Sequence, residues 1–239
     1  LQIYLIEVGW YLGFWRRITG EYRAGFQWTT SSIFDSFGCF YAQEMDSIVY
    51  YDKNAKEFYE RSAHVDLQDT YQRFLKYLPK EGYILDAGCG VGRDSKFFLD
   101  NGYRVLPLDG SVEMVKMTTD LLQQPAIRML FQDVYFSNEF DAIWANASLL
   151  HVSYEDLREV IKTFHKSLRP SGIFYASFKY GTSMRQAGER LFSDMNEANI
   201  QRYLQGLFHP LEIWKDADTR SKIAPSPDNS WLHCIARSI

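Results

Sequence analysis

Residues 83–111 read YILDAGCGVGRDSKFFLDNGYRVLPLDGS, and this stretch decides the fold. A short apolar run (Ile84, Leu85) ends in Asp86 and meets glycines at 88, 90 and 92. A helical segment through Phe97, Phe98 and Leu99 then stops at Asn101 and Gly102, and a second apolar run ends in Asp109. The order is strand, glycine-rich turn, helix, strand. Glycines at the carboxyl end of a strand let the backbone approach a ligand closely, where an open parallel sheet keeps its binding crevice. Asp109 closes the next strand about 20 residues on, the position from which an acid binds ribose hydroxyls.

The dinucleotide form of this turn does not fit. A G-x-G-x-x-G frame starting at Gly88 puts Arg93 where the third glycine packs helix against strand, and Gly92 comes one place early. With Asp86 in front, the string is D-x-G-x-G-x-G, which resembles motif I of the class I S-adenosylmethionine (SAM) methyltransferases. The resemblance implies an α/β architecture: a Rossmann-like mixed seven-stranded sheet with helices on both faces and an antiparallel last strand. It implies SAM as cofactor, with Asp86, Gly88, Cys89 and Gly90 at the loop that receives it and Asp109 with Gly110 at the ribose. The chemistry agrees, because SAM carries an ammonium, a sulfonium and a diol that suit nearby carboxylates. Cys89 itself, small and between two glycines, reads as filler rather than as a redox thiol.

The resemblance continues in order along residues 47–178. AIRMLFQDVYF (126–136) is expected to hold the third strand. The place where the family carries an acid for the adenine amine falls on Leu130, so main-chain groups at Phe131 and the side chain of Gln132 take that part, with Asp133 as fallback. FDAIWANASLLHV (140–152) resembles the fourth strand and its loop, with Ala145 and Asn146 at the carboxyl end near the transferable methyl. It lacks the two prolines and the aromatic by which the nucleic-acid amino-methylating branch grips a flipped base. His151 reads equally as a general base and as a hydrogen-bonding residue at the start of the next helix. Tyr51, ahead of motif I, reads as a lid residue, lining with His151 the wall opposite the basic residues that follow the fifth strand, or as packing. LRPSG then resembles the turn into the fifth strand, IFYASF (173–178).

Past that strand stand Lys179, Arg185 and Arg190, and Arg220 precedes the closing strand. The family places acceptor-binding insertions here, so the four are candidates for gripping an anion; the alternative is a solvated surface. FDAIWANASLLHV, SFKYG and the following arginines together look like the small bacterial tellurite-resistance-type methyltransferases. The reading is therefore a methyltransferase acting on a small, anionic acceptor. Two alternatives stay open: a SAM-binding regulatory or interaction module without an acceptor, and an RNA-modifying methyltransferase, which a basic stripe would reveal.

Local signals fill in the rest. Leu67, Tyr71, Phe74, Leu75 and Leu78 predict a helix before the first strand, and Ser111 is a candidate N-cap. Ser153 with Asp156 makes a capping box, and a later helix is expected to be capped near Asp194. FHPLEIWKDADTR and WLHCIARSI predict the last two strands. Pro107, inside the second strand, is out of place, since proline cannot donate to a ladder.

The chain has 239 residues, 46% hydrophobic and 23% charged, enough for one substantial α/β core. A net charge of −4 lacks the footprint of a nucleic-acid binder, which disfavours that partner in favour of a small molecule. Three widely spaced cysteines suggest neither a disulfide framework nor a metal site, and fit a reduced cytoplasmic setting. Residues 1–44 form an aromatic-rich extension, broken by Glu7, Arg16 and Arg17, that suits neither a membrane span nor a signal peptide. It reads as an added helical layer, a partner anchor or an upstream extension, with the SAM-dependent domain running over 45–239.

Overall fold

The computed structural model describes residues 31–217 and 229–239, with side chains from Ser47 onward. The chain divides into two units, residues 1–37 and 38–239; of the first, residues 31–37 are described, as the start of a helix. That helix, α1 (Ser31–Ser62), is followed by α2 (Gln68–Leu75) and by β1 (Tyr83–Ala87), which runs through the glycine turn into α3 (Arg93–Asp100). Then come β2 (Arg104–Asp109), α4 (Val112–Leu122), a two-residue β3 (Ile127–Arg128) and β4 (Phe140–Ala145). α5 (Tyr154–Ser167) leads into β5 (Leu168–Lys179), a hairpin of β6 (Met184–Ala187) and β7 (Arg190–Ser193), and α6 (Glu197–Leu204). β8 (Phe208–Ala217) and β9 (Ser230–Ser238) close the chain.

Seven of these strands make one sheet in the order β3-β2-β1-β4-β5-β9-β8. β1 to β5 pair in parallel, and β9 runs antiparallel to both β5 and β8. This is the expected mixed sheet with an antiparallel last strand. Because side chains alternate across a strand, Ile84 and Leu85 enter opposite cores. Leu85 and Ile143 meet Leu157, Ile161 and Phe164 of α5 on one face, while Ile84 and Trp144 meet Phe74 of α2 and Phe98 of α3 on the other. Both faces are covered, as a parallel sheet requires.

Pro107 leaves the register intact, for a reason visible in its neighbours. The Leu108 carbonyl points to the β1 side, taking the N–H groups of Gly88 and Cys89, while Val105 and Asp109 point their carbonyls the other way, to Gln124 Nε2 and to the Met129 N–H. The missing N–H of Pro107 therefore falls on the β3 side, and β3 starts pairing only at Leu108. The ladder with β1 runs unbroken from Tyr83↔Arg104 to Ala87↔Leu108.

Ser111 caps α4, accepting from the Met114 N–H at 3.2 Å, and Ser153 caps α5, accepting from the Asp156 N–H at 3.1 Å. The helix expected to be capped near Asp194 starts instead after Asn196, whose side chain accepts from the Asn199 N–H at 2.9 Å. α1 passes through residue 45 without a break, so the boundary expected there falls inside a helix. Its regular backbone gives way at Asn54 (φ −117°, ψ 19°), whose side-chain amide donates to the Tyr50 carbonyl at 2.8 Å. Among the described residues no helix is long and apolar enough to cross a membrane, and no group of His, Cys, Asp or Glu has the spacing of a metal site. Arg220 lies outside the described residues.

Candidate active site

A cleft of about 640 Å³, open to solvent, lies at the carboxyl ends of β1, β2 and β4. Gly88 and Gly90 line it from the β1 turn and Asp109 from the end of β2. Gly88 must be glycine on two counts: its φ is +82°, and a Cβ there would come within 2.3 Å of Ser148 Cβ on the β4 loop. Asp109 is oriented by main chain alone, with Oδ2 accepting from the Gly90 N–H and Oδ1 from the Ser111 N–H, each at 2.9 Å. Burial pushes its carboxyl above the ordinary range, and these N–H donors pull it back.

The turn after β3 supplies an apolar wall of Met129, Leu130 and Phe131. α1 forms the roof through Ile48, Tyr51 and Phe58. The roof is moored at its ends. Asp52 Oδ1 accepts from Ser111 Oγ at 2.6 Å and from the Glu113 N–H at 3.2 Å, Ser47 Oγ accepts from the Leu191 N–H at 3.0 Å, and Arg93 donates to the Ser62 carbonyl at 3.0 Å. Arg93, too bulky for the dinucleotide frame, thus ties α3 to α1.

Tyr51 and His151, far apart in sequence, meet in this cleft with Tyr51 Oη 2.8 Å from His151 Nε2. His151 Nδ1 lies 2.6 Å from the Leu191 carbonyl oxygen, which can only accept. The hydrogen of the neutral imidazole therefore sits on Nδ1, and Nε2 accepts from the Tyr51 hydroxyl. Burial lowers the pKa of His151 to about 4; the Leu191 carbonyl opposes that shift and the nearby Arg190 guanidinium adds to it. Burial also raises the Tyr51 phenol, against the pull of Arg190. Both groups are neutral at pH 7.

Several other sequence candidates lie elsewhere. Asp86 is buried beneath the turn, accepting from Ser95 Oγ at 2.6 Å. Cys89 is buried against Thr118, with its thiol pKa raised by burial, and Ala145 is fully buried in β4. Gly110 lines the cleft, while Gln132 and Asp133 do not; it is the ring of Phe131 that approaches Gly88. Asn146 faces a second cavity, on the far side of the Ala147 turn, with Arg93, Trp231 and His233. Of the basic residues, Lys179 lies over the Trp231 ring and donates to Asn229 Oδ1 at 3.1 Å. Arg185 is taken by Asp194, through contacts of 2.7 and 3.1 Å. Arg190 lies between the rings of Tyr50 and Phe192, 4.5 and 5.1 Å from their centroids, with no carboxylate in ion-pair distance among the described residues.

Sequence reading missed Asp94. Its carboxylate takes four donors: Tyr71 Oη at 2.6 Å, Arg93 Nε at 2.6 Å, Trp144 Nε1 at 2.8 Å and Asn146 Nδ2 at 3.0 Å. Asn146 Oδ1 in turn accepts from Ser177 Oγ at 2.8 Å, and Ser177 Oγ accepts from the Ala147 N–H at 2.8 Å. The β4 turn, with Ala147 at φ +53°, is fixed from below by this network.

Residues 85–176 match a family model described as a methyltransferase domain. That stretch is similar to methyltransferase domains. Over 141 residues it is 28% identical to a malonyl-[acyl-carrier protein] O-methyltransferase of Salmonella typhimurium, covering 55% of this chain and 53% of that protein. It is 31% identical over 138 residues to the N-terminal Xaa-Pro-Lys N-methyltransferase 1 of Bos taurus, covering 48% and 58%. The chain thus spans about half the length of the curated relatives it matches. Among solved structures, the fold matches the Burkholderia thailandensis 1,6-didemethyltoxoflavin-N1-methyltransferase, solved with 1,6-didemethyltoxoflavin and S-adenosylhomocysteine, at a TM-score of 0.66 and 20% identity, covering 91% of this chain and 93% of that one. It also matches the [4+2]-cyclase SpnF at 0.64 and 16%, covering 82% and 95%. At these identities the structures show a shared fold. The matched stretch, residues 85–176, contains every cleft residue contributed by the β1, β2, β3 and β4 turns, whereas the α1 roof precedes it.

Proposed function

We propose that the chain transfers a methyl group from SAM to a small, anionic acceptor. The observation that carries this reading is Asp109: a carboxylate held by two main-chain N–H groups beside a glycine turn in which a Cβ on Gly88 would clash with Ser148, in the cleft that also holds Tyr51 and His151. A diol fits that carboxylate, and the apolar wall of Met129, Leu130 and Phe131 fits an adenine face. SAM supplies the electrophilic methyl. Gly88 and Gly90 give it backbone access, Asp109 with Gly110 holds its ribose, and α1 excludes water from above. Tyr51 and His151 stand where the acceptor enters, and Arg190 beside them, with no carboxylate in ion-pair distance among the described residues, biases that mouth toward negative charge.

By their names the relatives and neighbours include an O-methyltransferase and N-methyltransferases, so they single out no attacking atom. The branch of tellurite-resistance-type enzymes rests on FDAIWANASLLHV and SFKYG. A cytoplasmic setting is supported by Cys89 and Cys234, both free and buried. Residues 45–239 are proposed as the working domain. Calorimetry with SAM, followed by S-adenosylhomocysteine release over a panel of oxyanions, carboxylates, phenols, thiols and tRNA, tests the proposal. Binding without turnover of any acceptor supports the regulatory module, and turnover on tRNA alone supports the RNA enzyme.

A further inference from the structure

We propose that Tyr51 Oη reads the acceptor as a hydrogen-bond acceptor, so that the substrate presents an N–H or O–H to it, as a phenol, lactam or imide does and a carboxylate or fully deprotonated oxyanion does not. The inference rests on the methyl-transfer reading and narrows its substrate: whatever charge the acceptor carries elsewhere, the edge facing Tyr51 bears a hydrogen.

The argument is one of hydrogen-bond polarity. The Leu191 carbonyl cannot donate, so the 2.6 Å contact fixes the hydrogen on His151 Nδ1. A neutral imidazole then has only a lone pair at Nε2, and the 2.8 Å contact makes Tyr51 the donor. The single phenolic hydrogen is spent inside the wall, and Oη keeps only lone pairs, shared between the Arg190 guanidinium and the cleft. A carboxylate brought against it would set lone pair against lone pair. Turning the hydroxyl round to meet such a group would strip His151 Nε2 of its partner and leave a buried acceptor unsatisfied. Making His151 cationic would let Nε2 donate instead, but burial and the neighbouring Arg190 both oppose that charge. The charged and titratable groups around the pair are Arg190, Tyr50 and Asp109; Arg190 is within hydrogen-bond reach of the Tyr51 phenol, and because a guanidinium only donates, it takes a lone pair of Oη and cannot reverse the chain.

Arg190 complements this polarity. Its guanidinium is held by two rings and faces no carboxylate among the described residues. An acidic N–H or O–H, polarised toward its anion by that positive charge, gives the stronger hydrogen bond to Oη.

The test uses the full chain saturated with S-adenosylhomocysteine. Two matched pairs of probes are titrated by calorimetry: 4-hydroxybenzoate against 4-methoxybenzoate, and uracil against 1,3-dimethyluracil. In parallel, a long-range ¹H–¹⁵N correlation spectrum reports which nitrogen of His151 carries hydrogen, with assignment by His151→Gln. The expected result is an Nδ1–H tautomer, binding of at least one donor-bearing probe about 10-fold or more tighter than its methylated partner, and loss of that preference in Tyr51→Phe with S-adenosylhomocysteine affinity retained. An Nε2–H tautomer, no binding of either donor-bearing probe, or a preference that survives Tyr51→Phe overturns the inference and leaves methyl transfer standing. Absence of S-adenosylhomocysteine binding to the unaltered chain fells both.

Discussion

The carboxylate of Asp109 accepts a 2.9 Å hydrogen bond from the N–H of Gly90, across 19 residues of sequence, so the end of β2 fixes the shape of the β1 turn. Removing that carboxylate removes both the loop's anchor and the proposed ribose contact. Hydrogen bonds to a charged group contribute about 1.5–3 kcal/mol each, so Asp109→Ala is expected to weaken SAM by roughly 30-fold or more. Calorimetry on the folded variant checks this; unchanged affinity would move the cofactor elsewhere.

Gly88→Ala is the complementary change. The new methyl would lie 2.3 Å from Ser148 Cβ, at a φ of +82° that alanine rarely adopts. The β4 loop must shift to admit it, and Ser148 Oγ then loses its 2.7 Å bond to the Ala87 carbonyl. Strain of this kind costs of order 1–3 kcal/mol. A melting temperature lowered by several degrees, together with weaker SAM binding, is the expected outcome.

What was legible in the sequence was whatever stood close together in it. The turn, Asp86 and Asp109 lie within one strand–helix–strand unit, and apolar periodicity marks the strands and helices around them. Tyr51 and His151 are legible as lining one wall, but their hydrogen bond is not, because the contact spans 100 residues. The roof had a signal that was not used: Ile48, Tyr51, Ala55 and Phe58 repeat at helical spacing, and Tyr51, Ala55 and Phe58 pack together beside the cleft. The β6–β7 hairpin had almost none, since β6 is short and largely exposed and its pattern is that of a polar loop. Asp94 reads as an ordinary first-turn acid of α3; its partners come from α2, β4 and the β4 turn, and only the fold collects them.

The basic residues after β5 now separate. Arg185 is bound to Asp194 and Lys179 to Asn229, whereas Arg190 stands beside Tyr51. With any anionic acceptor that the panel yields, Arg190→Gln is expected to raise KM about 10-fold, less at high salt, with SAM affinity unchanged. Lys179→Gln should leave KM within about 2-fold. Steady-state kinetics at two ionic strengths decides; equal effects of the two variants would return Arg190 to a packing role.

Asp94 and Asp86 are neighbouring buried carboxyls whose pKa values move in opposite directions, and stability should show it. Burial alone would raise Asp94, but Arg93, Tyr71 and Trp144 outweigh it and hold its carboxyl below the ordinary range. A depressed folded pKa adds stability at pH above the unfolded value of about 3.9, and that stability fades as pH falls through the folded value. Asp94→Asn should therefore cost about 3–5 kcal/mol at pH 7, because it leaves Arg93 buried without its partner, and the penalty should shrink in acid. For Asp86, burial and the adjacent Asp94 raise the carboxyl, so ionisation works against folding above the unfolded pKa and the cost is relieved as pH falls through the folded one. Asp86→Asn keeps an oxygen to accept from Ser95 Oγ and removes the charge, and it is expected to be neutral or stabilising at pH 7. Urea denaturation of both variants at pH 7, with Asp86→Asn repeated at pH 4 and Asp94→Asn at pH 2.5, measures the contrast. Equal destabilisation by the two changes at pH 7 would show that the network, rather than its charge, sets the stability of the β4 turn.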